Sequence, residues 1–99
     1  VVNPTFSFSA KLWLHNKGTW VFITVPEDES DEIHEVAPHP GGFGSVRVGV
    51  QIGDTSWKTS VFPDSKSGCF VLPIKKEVRT AEKLDIGDTV EIELTVLMD

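Results

Sequence analysis

The order of elements between Cys69 and Val96 constrains the fold of this chain more than any other feature. A short apolar run, Cys69-Phe70-Val71-Leu72, meets Pro73. A basic amphipathic stretch follows, then Ile86-Gly87-Asp88, then an alternating run from Val90 to Val96. Proline removes a donor from a sheet ladder yet suits the first turn of a helix, so the segment reads as strand, helix, turn and strand. In a helix started by Pro73, Ile74, Val78 and Ala81 share one face, while Lys75, Lys76, Arg79 and Lys83 face water.

The first half follows a similar plan. Phe6, Phe8, Ala10, Leu12 and Leu14 alternate with Ser7, Ser9, Lys11 and Trp13, the period of a half-buried strand. His15 to Gly18 supplies turn residues, and Trp20 to Val25 completes a hairpin. Pro26 then opens a helix over residues 27–36, whose acids suit the positive end of the helix dipole and whose apolar edge is Ile33, Val36 and Ala37. Pro38 to Gly44 reads as a loop in which Phe43 anchors the chain to the core. Three further strands are expected at Val46 to Ile52, Trp57 to Phe62 and Cys69 to Leu72, with a Gly53-Asp54 turn between the first two. With Val90 to Val96 the expected total is about six strands and two short helices.

Hairpin, proline, helix, glycine-containing turn and strand thus occur twice. This predicts an internal duplication, with pseudo-repeats at about residues 6–53 and 56–97 inside a single domain spanning 1–99. A chain of this length supports one hydrophobic core and not two.

The net charge of −6 is unevenly distributed. Residues 27–35 hold six acids and no lysine or arginine, and the nine acids elsewhere balance the nine bases. Residues 57–83 hold six bases against Asp64, Glu77 and Glu82. Cys69 is the only cysteine, which excludes an internal disulfide and fits a reducing cytoplasm; in an apolar strand it reads as a buried, inert thiol. No apolar run approaches the length of a membrane span, and the first residues do not resemble a signal peptide. A cytoplasmic, monomeric protein is expected.

Two resemblances follow from these residues. Leu72-Pro73, Val78-Arg79, Leu84, Ile86-Gly87-Asp88 and Val90-Glu91-Ile92 resemble the swapped-hairpin domain of the AbrB and MazE transcription-factor superfamily. In that superfamily two chains interlock into one barrel, which implies that a duplicated chain builds an equivalent barrel alone. Over nearly its whole length the chain is similar to the family called domain of unknown function 1905. The residues concerned are Phe6 to Leu12, Gly18 to Pro26, Gly44-Ser45-Val46, Trp57 to Phe62, and Leu72-Pro73 through Gly87-Asp88. That similarity implies a mainly β, double-split barrel capped by helices, and no activity. Lys58 stands where the resemblance leads one to expect arginine.

The chemistry-bearing residues form no catalytic pattern. His15, His34 and His39 lie in a turn, an acidic helix and a Pro-Gly loop, without metal-ligand spacing. Gly41-Gly42-Phe43-Gly44 leads into a strand and has no following lysine, unlike a phosphate-cradling loop. Ser60 has neither a nucleophile-elbow context nor an evident base. The basic segment suits phosphate contacts, but the overall charge opposes long-range attraction to nucleic acid. The candidate binding surface is Trp13, Arg47, Trp57, Lys58, Ser60, Lys75, Lys76 and Arg79, because tryptophan and arginine are favoured where a contact is both apolar and polar. These residues favour a non-catalytic module that binds a protein or small ligand, with no cofactor. A nucleic-acid-binding domain is the first alternative and an enzyme of unknown class the second.

Overall fold

The computed structural model describes residues 3–15, 18–37 and 44–98. Seven antiparallel strands curl into a half-barrel with two short helices. They are β1 (Thr5–Lys11), β2 (Trp13–Leu14), β3 (Val21–Thr24), β4 (Val46–Ile52), β5 (Thr55–Pro63), β6 (Phe70–Pro73) and β7 (Thr89–Val96). Helix α1 (Glu27–Val36) follows β3, and α2 (Lys76–Glu82) follows β6.

The strand order is β1-β7-β4-β5-β6-β3-β2. Its first and last members are separated in sequence only by Leu12, so the chain itself runs from one end of the order to the other. The single strand expected from Phe6 to Leu14 is therefore two. Up to Lys11 it pairs with β7, and from Trp13 it pairs with β3. Leu12 is buried at the changeover, donates its N–H to Asp88 and accepts from Gly87. The alternation in sequence does not mark this exchange of partner, because Leu12 keeps the buried position that period two gives it.

The interior is built by inward-facing positions of period two. Val46, Val48, Val50 and Ile52 from β4 meet Val90, Ile92, Leu94 and Val96 from β7, with Val21, Ile23, Val61 and Leu72 completing the buried wall. Burial of each such side chain contributes about 1.5–3 kcal/mol. Each helix adds little to this core: Ile33 and Val78 are its fully enclosed apolar residues on α1 and α2.

Helix α1 spans the residues its sequence predicts, with Pro26 at its N-cap and Glu27, Asp28 and Glu29 in the first turn. Helix α2 begins later than predicted. Pro73 pairs with Phe22 as the last residue of β6, and the Ile74 N–H still donates to Val21, so strand pairing continues past the proline. Ile74 and Val78 are buried as expected, but Ala81 is exposed and Arg79 is partly covered. Lys83 ends the helix at φ 55. The loop expectation for Pro38 to Phe43, including the Phe43 anchor and His39, falls outside the described residues.

Candidate functional site

A basic cleft opens where β5 passes the start of α2. Pro73 releases the chain from β6, and the two residues Ile74 and Lys75 carry it into α2. Ile74 points into the core, so its neighbours Lys75 and Lys76 are left on the surface. On the opposite wall, β5 presents Trp57, Lys58 and Thr59, and the turn before β3 adds Thr19 and Trp20. The cleft encloses about 350 Å³.

Five of the eight sequence candidates line it: Trp57, Lys58, Lys75, Lys76 and Arg79. Four of these are cations, and no carboxylate, histidine or cysteine is among the lining residues. Trp57 is half-buried and packs on the core, so its indole forms a fixed wall. Arg79 donates from Nε to the Ile74 carbonyl at 3.1 Å, which uses one of five guanidinium N–H groups and holds the head at the cleft margin. Among the described residues, no hydrogen bond or ion pair engages the ammonium groups of Lys58, Lys75 and Lys76. Such ammonium groups are available to an incoming anion.

The other three candidates lie elsewhere. Trp13 on β2 donates its indole N–H to Thr24 Oγ1 at 3.0 Å and sets its ring 5.3 Å from that of Phe22. Its polar atom is thereby used within the fold. Arg47 and Ser60 are opposite each other across β4 and β5 and take no part in the cleft.

Trp20 is the lining aromatic residue that the candidate set lacks. It is 63% exposed and stacks on Phe22, with centroids 6.1 Å apart and planes 12° from parallel. A signal for it is present in the sequence: Val21, Ile23 and Val25 take the inward positions, which leaves Trp20 and Phe22 together on the outer face. An apolar patch of His15, Trp20, Phe22, Phe62, Val71 and Pro73 adjoins the basic cleft through Trp20 and Pro73, which belong to both.

A second cleft of about 460 Å³ lies between α1 and the loop before β6, and holds Asp31, His34, Asp64 and Cys69. Asp64 there is a turn residue, accepting from Ser67 Oγ at 2.9 Å. Cys69 is half-buried, where the sequence suggests full burial. Among the described residues no group of three or more His, Cys, Asp or Glu is placed to hold a metal ion. No helix is long and apolar enough to cross a membrane.

Comparison with known proteins adds a family. No curated protein matches the chain. The family model described as "Domain of unknown function (DUF1905)" matches residues 8–94, which takes in β3 through β6, both helices and the whole cleft. The chain belongs to the DUF1905 family.

Proposed function

We propose that this domain is a non-catalytic binding module that takes an anionic ligand in the cleft between β5 and α2. The observation that carries the reading is the lining itself: Lys58, Lys75, Lys76 and Arg79 converge there without an acid, in a chain whose net charge is −6. Converging cations in a concave site favour charge-assisted hydrogen bonds to carboxylate or phosphate oxygens. The lining offers groups that bind and orient, and no carboxylate or imidazole to carry a proton.

The reading extends to the architecture, a double-split barrel made of two duplicated halves. Strand pairing supports it. β3 pairs with β6 and β4 with β7, while the β1–β7 and β2–β3 pairings have counterparts in β5–β4 and β5–β6. The registers support it further. If Val46 is matched with Val90, their partners Val61 and Ala10 are matched too. Three residues on, Asp64 is matched with Trp13, and their partners Cys69 and Phe22 follow. Four residues beyond those stand Pro73 and Pro26. An offset chosen on one strand pair thus brings the two helix-preceding prolines into correspondence.

Counted from those prolines, Lys75, Lys76 and Arg79 stand where the first half has Asp28, Glu29 and Glu32. In this reading the halves keep a common backbone plan with opposite charge, and the anion site occurs once per chain.

Calorimetric titration of the chain with inorganic tripolyphosphate at about 50 mM salt tests the reading. We expect one ligand per chain, weaker binding as salt rises, and about tenfold lower affinity in the Lys58→Gln/Lys76→Gln double variant. Equal affinity in the folded double variant contradicts it.

A further inference from the structure

We propose that the basic cleft and the adjoining aromatic patch form one composite site for a phosphorylated nucleoside, with phosphates among the cations and the base on Trp20. This rests on the reading of the cleft as an anion site and adds the identity of the group attached to the anion.

Three observations carry it. First, the two surfaces are continuous. Trp20 and Pro73 line both, so a ligand anchored beside Lys58 and Lys76 meets the Trp20 indole as it leaves the cleft. Second, the indole is prepared for a flat partner. One of its faces is occupied by Phe22 at 12° from parallel, Phe22 is itself held against Trp13, and yet 63% of Trp20 remains exposed. A ring stacked on a neighbour that is itself packed is restricted in its rotamers, so stacking on its open side loses less side-chain entropy. Third, the cations are gathered and not strung out. Four converge on one cleft of about 350 Å³, which suits the closely spaced oxygens of a phosphate chain. An extended acidic peptide places side chains on the same face only about every 6–7 Å.

Cations for phosphate beside an exposed aromatic face for a base are the two elements that nucleotide and single-strand recognition combine. The chemistry is shared by a free nucleotide and by a single-stranded nucleic acid. Neither needs a groove that admits a duplex.

The test compares four ligands on the full chain by calorimetry: tripolyphosphate, a nucleoside triphosphate, a short oligothymidylate, and a glutamate-phenylalanine peptide. The expected result is that the nucleoside triphosphate or the oligothymidylate binds at least about fivefold more tightly than tripolyphosphate. Trp20→Ala should lose at least about fivefold in affinity for the tighter-binding nucleotide, a larger loss than it causes for tripolyphosphate. Trp20→Phe, which keeps a ring, should retain most of the gain. Tighter binding of the oligothymidylate with a steep salt dependence assigns the site to single strands, and tighter binding of the triphosphate assigns it to free nucleotides. Equal binding of tripolyphosphate and both nucleotides, unaltered in Trp20→Ala, overturns the composite site and leaves the anion site standing. Binding of the peptide alone overturns the phosphate class. Failure of tripolyphosphate, both nucleotides and the peptide alike overturns both readings.

Discussion

The Ser30 hydroxyl on α1 accepts the backbone N–H of Phe70 on β6 at 3.0 Å and donates to the Val25 carbonyl at 3.0 Å. Val25 in turn donates its own N–H to the Phe70 carbonyl. Ser30 is 3% exposed, the one buried polar residue among those described, and it ties α1 to the sheet where the apolar edge of the helix is narrow. Ser30→Ala leaves a buried donor without its partner and should cost about 1–3 kcal/mol in urea unfolding. A loss below about 0.5 kcal/mol would show that α1 is held by Ile33 alone.

The C-terminus of α2 carries avoidable strain. Lys83 closes the helix at φ 55, where its backbone N–H reaches the carbonyls of Arg79 and Thr80. A side chain with a Cβ is disfavoured in this left-handed conformation, and glycine adopts it freely. Lys83→Gly should raise stability by about 0.5–1 kcal/mol, read as a higher urea midpoint at unchanged slope. An unchanged or lower midpoint would place the capping residue elsewhere.

The turn between β4 and β5 is linked to α2. Gly53 sits at φ 57, and a Cβ there would meet the Glu82 carboxyl group, 2.9 Å from its Cδ. The same carboxylate accepts the Thr55 hydroxyl at 2.6 Å. Gly53→Ala combines a strained φ with displacement of Glu82, and should cost about 1–3 kcal/mol. Thr55→Val removes only the hydrogen bond, and its loss should be the smaller of the two.

Two cleft cations should separate into different roles. Arg79 is half-buried and bonded to Ile74, so Arg79→Ala should lose about 1 kcal/mol of stability as well as affinity for tripolyphosphate. Lys58 is exposed on β5, and Lys58→Ala should lose affinity while its stability stays within about 0.5 kcal/mol of the parent. Equal stability losses would mean that Lys58 supports the fold.

Much of the fold is legible in single residues. Glu27 to Val36 is bounded by Pro26 and by a run of acids that suits one helix end, and the alternating aliphatic residues of β4 and β7 announce strands with one buried face. Legibility fails where a partner changes without a change in the hydrophobic period. Nothing at Leu12 distinguishes a strand that continues from one that moves from β7 to β3, and Leu14 keeps the hydrophobic period although it is 50% exposed. It fails again at Pro73, because the lost donor can be tolerated at the last residue of a strand as well as at the first of a helix.

The site shows the same division. Lys75, Lys76 and Arg79 are close together in sequence, and their grouping is visible there. Their meeting with Trp57 and Lys58 depends on how β5, β6 and α2 are placed in space, and Trp20 joins them from the other half of the chain. Period-two alternation tells which face Trp20 is on, but not what lies beside that face.

The most direct test of the anion site is a residue-by-residue amide NMR titration with tripolyphosphate. Saturable shifts are expected, centred on Trp57, Lys58 and Thr59 and on Ile74 to Arg79, and fading as salt is raised. Shifts centred on α1 and the loop before β6, or none at all, would contradict it.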